Sequence, residues 1–298
     1  MVELGHSPMI VKPKSLSQIS TFSPLPILCL ADEDIIEICH TSACLIAFCA
    51  WAEKRGLVKK LIMLGVPIVV HDPIEYYPEM LELASKYSHI ITIRLKNTHN
   101  LDERGFSNTF VRHPYSRASL SLQSKSGAVA CTRLNYNKNN DVVIKANKLG
   151  CPIDVFGERN THYCDDYLDK RHPDWRRWYK GVIENKVHAV TKILSRYQYA
   201  VDLSMLTMDG GGTQYSFLEA WDAGCMLIVH KMWILDGYEI IDGLNCLAVS
   251  NEYELQEAIE SNQAYDTSIH DTLLQSHSAE NTTAKMIDII VRLRQSRV

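Results

Sequence analysis

Residues 208–229, MDGGGTQYSFLEAWDAGCMLIV, constrain this chain more than any other stretch. Gly210, Gly211 and Gly212 run into Thr213, Gln214, Tyr215 and Ser216, and a helical pattern follows, with Phe217, Leu218 and Trp221 on one face. Glu219 points to a different face, and Gly224 stands where a helix C-cap would. Residues 225–229 are continuously apolar, as a fully buried strand is. A Gly-rich loop lets backbone approach a ligand closely, and a helix N-terminus attracts phosphate. The loop–helix–strand pattern therefore predicts a diphosphate site at Gly212, Thr213 and Gln214. The competing reading is a flexible loop before an ordinary α/β helix, and glycines alone do not separate the two.

The rest of the chain repeats the alternation of apolar strand and amphipathic helix. Strands are predicted at 26–30, 67–70, 89–93, 128–131, 153–156, 181–183, 200–205 and 245–249, with a short one at 9–11. Helices are predicted over 32–55, continuing through 57–65, and over 76–87, 141–149, 186–197, 252–261 and 282–297. In the last of these Met286, Ile289, Ile290 and Leu293 share a face. Residues 96–109 read as a polar loop, and the Ser-rich stretch 116–125 as a linker. This order indicates an α/β chain with parallel sheets. At 298 residues it suits an N-terminal domain over 1–118, a second domain over 119–280 and a closing helix over 281–298.

The net charge of −4 provides no general attraction to nucleic acid, so any such binding needs a local basic patch. The nine cysteines include no C-x-x-C pair, which points to free thiols in a reducing compartment. No basic-then-apolar leader opens the chain, and its longest apolar run, 43–52, is too short to span a membrane. Together these predict a cytoplasmic protein without a membrane span. Asp32 and Asp34 form a D-x-D that reads either as a metal site or, more simply, as the charged first turn of a helix.

Tyr215–Ser216–Phe217–Leu218–Glu219–Ala220, followed by Ala223–Gly224, resembles the donor-site signature of retaining GT-B glycosyltransferases. The resemblance covers roughly 57–262 and implies two Rossmann-like domains facing a central cleft, the N-terminal one reduced. It also implies metal-independent transfer from a nucleotide-sugar, which is a co-substrate, with no cofactor. By the same resemblance Glu219 accepts hydrogen bonds from the donor ribose. The family's second Glu is replaced by Gly211, leaving Asp209 as the nearest carboxylate. Thr132–Arg133–Leu134 and Lys138 resemble the loop whose cations hold the two phosphates. Cations aimed at a departing diphosphate stabilise the charge that grows there. Gly157, Glu158 and Val182 match positions that frame the base, and Tyr215 joins the donor residues. His71 and Asp72, after the strand at 67–70, match a loop that faces the transferred sugar or acceptor hydroxyl; Asp72 suits proton uptake late in transfer. From the residues alone, Asp72 before Pro73 also reads as a turn start.

One branch of the family is more similar than the rest, the DNA α-glucosyltransferases of T-even bacteriophages, through His71–Asp72, 152–159 and 215–224. It implies a hydroxymethylated pyrimidine in phage DNA as acceptor, and a carbohydrate or lipid acceptor is the alternative. The stretch KRHPDWRRWYK at 170–180 fits DNA, with Arg176 and Arg177 for phosphates and Trp175 and Trp178 for stacking. It reads equally as an exposed charged helix with two buried tryptophans. A reading of another class is a non-catalytic nucleotide-sugar binder, suggested by Gly211 and the short N-terminal half.

Overall fold

The computed structural model describes residues 10–13, 27–42, 44–48, 55–71, 74–120, 124–205, 213–235, 239–261 and 267–295. The chain divides into two compact units, Met1–Pro114 with His277–Val298, and Tyr115–Ser276.

In the first unit β1 (Ile10–Pro13) pairs in parallel with β2 (Ile27–Leu30). Then follow α1 (Asp32–Thr41), β3 (Ile46–Phe48), α2 (Arg55–Met63), β4 (Ile68–Val70), α3 (Pro78–Tyr87), β5 (Ile90–Thr92), α4 (Leu95–Glu103) and β6 (Asn108–Phe110). The strands β3 to β6 form a parallel sheet in sequence order. Adjacent residues of β5 face opposite sides: Ile90 joins a core with Ile62, Ile68 and Leu81, and Ile91 packs with Val111 and Ile289.

Two expectations are corrected here. The predicted helix over 32–55 stops at Thr41, and Ile46–Phe48 is a strand paired with β4. A short apolar run has no periodicity to tell helix from strand, and the available sheet edge decides. The predicted polar loop at 96–109 is α4 and β6; α4 buries only Asn97 and Leu101, one turn apart, too narrow a stripe to announce a helix.

The second unit runs β7 (Ala128–Cys131), α5 (Asn140–Lys148), β8 (Ile153–Phe156), a π-helical turn His162–Leu168, α6 (Asp169–Arg171), β9 (Tyr179–Gly181), α7 (Ala189–Leu194), β10 (Tyr199–Asp202), α8 (Tyr215–Asp222), β11 (Met226–His230), β12 (Leu247–Val249), α9 (Glu252–Glu260) and α10 (Ser268–Ser276). The third strand thus begins at Tyr179 rather than 181, and α7 is shorter than the predicted 186–197. Its six strands are parallel in the order β12-β11-β10-β7-β8-β9. Both faces are covered, as a parallel sheet requires: Ala128, Ala130, Val201 and Ile228 enter one core, Val129, Ala200, Leu227 and Val229 the other. Gly224 ends α8 with φ +67°, and the N–H of Cys225 returns to Ala220 O at 2.9 Å. The closing helix, α11 (Ala279–Gln295), belongs to the first unit and buries Ile289 and Ile290 there.

Candidate functional site

The strand order of the second unit reverses between β7 and β10. In open parallel sheets of this kind the loops leaving such a pair diverge to opposite faces, and ligands lie outside the carboxyl ends. The loop after β7 carries Arg133 and Lys138; the segment after β10 carries Ser204 and leads to α8. These segments are joined. Met205 N donates to Asn137 O at 2.8 Å, and Asn139, left-handed at φ 48°, donates through Nδ2 to Leu203 O at 3.0 Å. Lys138 Nζ donates to Ser204 Oγ at 2.7 Å. Asp202 accepts from Ser204 N at 3.0 Å, from Ser204 Oγ and from Ser216 Oγ at 2.6 Å.

Arg133 pairs with Glu158 at 3.0 Å, with side chains 61% and 66% exposed. An ion pair this exposed contributes little, so a phosphate can displace it at small cost. Glu158 follows Gly157, where φ is +150° and an added Cβ would lie 1.9 Å from Thr132 O. Only glycine lets the ends of β7 and β8 approach this closely. Tyr179 Oη donates to Gly157 O at 2.9 Å, and Val182, just past β9, is exposed. Arg133, Gly157, Glu158 and Val182 thus lie around the carboxyl ends of β7, β8 and β9.

At the start of α8 Gln214 is the N-cap; Thr213 and Gln214 are buried, and Tyr215 is exposed. Thr213 Oγ1 donates to Glu239 at 2.6 Å. Glu219, one turn along α8, is largely buried, and no described residue donates a hydrogen bond to its carboxylate. Burial, then the charge of Asp222, pushes its pKa up to about 7. A partly buried carboxyl group with no donor among the described residues is ready to accept hydroxyl hydrogen bonds. Asp222 itself accepts from Tyr115 Oη at 3.0 Å, Arg117 Nε at 3.1 Å and Ala118 N at 2.7 Å, which holds α8 against the segment opening this unit.

In the first unit His71 stands at the carboxyl end of β4. Its Nε2 lies 3.1 Å from Arg94 Nη2, and its ring meets His113 edge-on at 5.8 Å between centroids. A guanidinium only donates, so Nε2 accepts and the ring proton sits on Nδ1. Arg94, buried at the N-cap of α4, carries no signal of a role in the sequence, and neither do Asp202, Ser204 and Glu239. Asp72, Asp209 and Gly212 lie outside the described residues. Asp32 and Asp34 form the first turn of α1, and among the described residues no group of three or more His, Cys, Asp or Glu is placed to hold a metal ion.

The stretch 170–180 is not a continuous basic aromatic surface. Trp175 is 1% exposed, its Nε1 donating to Asp169 at 2.7 Å, so it offers no face to a base; its proposed stacking role is corrected to a core position. Arg176 is paired with Asp169 through both terminal guanidinium nitrogens, Nη1 and Nη2. Arg177 and partly buried Trp178 precede β9 and line a groove with Lys148, Gly150 and Pro152, which precede β8. They therefore lie at the amino ends of the strands, opposite Arg133 and Glu158.

No protein-family model and no curated protein matches the sequence. Solved structures do match. The pneumococcal O-GlcNAc transferase GtfA, solved with UDP and GlcNAc, aligns at TM-score 0.58 and 18% identity over 80% of this chain and 54% of its own. Anabaena HepE, solved with UDP and glucose, aligns at TM-score 0.58 and 14% identity over 91% and 84%. A glycosyltransferase from Rickettsia africae aligns at TM-score 0.70 and 11% identity over 98% and 91%. The chain thus spans little more than half of GtfA and most of the other two. Among the described residues no helix is long and apolar enough to cross a membrane. With its parallel sheets and these structural neighbours, the chain has the α/β fold of the GT-B glycosyltransferases.

Proposed function

We propose that this chain is a metal-independent glycosyltransferase that takes a sugar from a uridine diphosphate donor, with retention at the anomeric carbon. The observation that carries the reading is one constellation. Arg133, Lys138, the start of α8 and the carboxyl of Glu219 all belong to the segments leaving β7 and β10, where the strand order reverses. Lys138 and Arg133 meet the two phosphates, and Glu219 accepts from the ribose hydroxyls. As the sugar leaves, charge grows on the diphosphate, and cations fixed beforehand stabilise that state more than the ground state. Retention has the acceptor oxygen enter on the face the phosphate leaves, the diphosphate oxygen helping to take its proton. UDP is drawn from the complexes of GtfA and HepE.

The test is release of UDP from UDP-glucose, UDP-GlcNAc and UDP-galactose in EDTA, with acceptor screens and product stereochemistry by NMR. Turnover that disappears in EDTA and returns with manganese refutes metal independence. An inverted product refutes retention. UDP binding measured by calorimetry, with no turnover from any donor or acceptor, establishes the non-catalytic binder instead.

For the acceptor, the finer reading is hydroxymethylated pyrimidine in DNA, supported by residues 152–159 and 215–224 and by exposed Arg176 and Arg177. The opposite placement of Arg177 and Trp178 favours a carbohydrate or lipid hydroxyl as the alternative.

A further inference from the structure

Lys138 is held by a chain of hydrogen bonds whose directions follow from chemistry. An ammonium has only donors, so Ser204 Oγ accepts from Lys138 Nζ at 2.7 Å. The Ser204 hydroxyl proton then goes to Asp202 Oδ1, which also accepts from Ser204 N at 3.0 Å. The other carboxylate oxygen accepts from Ser216 Oγ, in the first turn of α8, at 2.6 Å. Ser204 is further fixed through its carbonyl, which accepts from Trp233 Nε1 at 2.9 Å, and Trp233 packs edge-on against Phe217 of α8. Both Asp202 and Ser204 are buried, so neither is available to a ligand itself. One carboxylate therefore ties three parts together: the end of β10, the amino end of α8 and the cation on the loop after β7.

We propose that Asp202 and Ser204 are positioning residues that set where the terminal phosphate of a nucleoside diphosphate binds, acting through Lys138 on one side and Ser216 on the other. The inference rests on the donor reading above. A lysine stem free to rotate spreads its charge over several rotamers, and a fixed acceptor removes that freedom before the ligand arrives. Asp202 does this without contacting phosphate, so its own charge stays one hydroxyl away.

The test compares UDP with UMP by calorimetry, because only UDP carries the second phosphate. Lys138→Met is expected to weaken UDP about 10-fold or more while UMP changes by less than about 3-fold, the loss of one charge-assisted hydrogen bond. Ser204→Ala is expected to lower the UDP/UMP affinity ratio about 5-fold, and Ser204→Thr, which keeps the hydroxyl, to restore it. The double variant is expected to match Lys138→Met alone, since the two act as one unit. Should the added methyl of threonine not fit, the double-variant cycle decides. Equal weakening of UDP and UMP by Ser204→Ala, or additive losses in the double variant, overturns the inference and leaves the donor reading intact. A Lys138→Met protein that binds UDP as well as the unaltered one, or an unaltered protein that binds no UDP, overturns the donor reading and this inference together.

Discussion

Glu219→Gln separates the cost of the donor site from its use. Burial, then the Asp222 charge, raises the Glu219 carboxyl from 4.5 to about 7, so the folded chain holds this proton more tightly than the unfolded chain. Stability from this group is therefore fully present below pH 4.5 and is lost as the pH rises through 7. Across that window each pH unit removes up to about 1.4 kcal/mol, about 3 kcal/mol in all by pH 8. Gln keeps the shape and carries no charge. At pH 8 the variant is expected to be more stable by about that amount, raising the melting temperature of a unit this size by roughly 6–12 °C. At pH 4.5 the two proteins are expected to melt together. Calorimetric melting across pH 4.5–8 is the assay, with UDP binding measured alongside. Gln pairs with the ribose hydroxyls less strongly than a carboxylate does, so the stabilised variant is expected to bind UDP more weakly. A melting difference that is the same at both ends of the range refutes the assignment of a carboxyl whose charged form is disfavoured by burial and by Asp222. Unchanged UDP affinity removes Glu219 from the donor site.

Gly157→Ala is expected to cost about 3 kcal/mol or more, because its Cβ would lie 1.9 Å from a backbone oxygen; denaturant unfolding checks this. Arg133→Ala is expected to lower kcat with UDP-sugars more than it raises KM, with little loss of stability because its pair with Glu158 is exposed. If DNA is the acceptor, its binding falls steeply with salt, with a slope of about −0.9 per phosphate contacted, and neutralising Arg176 and Arg177 together flattens that slope. A DNA affinity independent of salt refutes that reading.

Short-range patterns are legible in the sequence by itself. Gly224 after Phe217, Leu218 and Trp221 marks the end of α8, and the apolar run behind it marks β11. Both depend on contacts within a few residues. The parallel α/β character and the face formed by Ile289 and Ile290 are legible in the same way. Residues with two local readings need distant partners to settle them. Ile46–Phe48 is a strand because β4 offers an edge about twenty residues away. Trp175 is a core residue because Asp169, Arg176 and Tyr179 close around it. In the sequence Asp202 and Ser204 look like the end of an ordinary strand, and nothing around them signals a role. That role exists only because the sheet sets β10 beside β7 and brings Lys138, 66 residues earlier, within 2.7 Å of Ser204. Periodicity and capping report the geometry of one element, whereas hydrogen bonds between elements depend on strand order, which the tertiary structure decides.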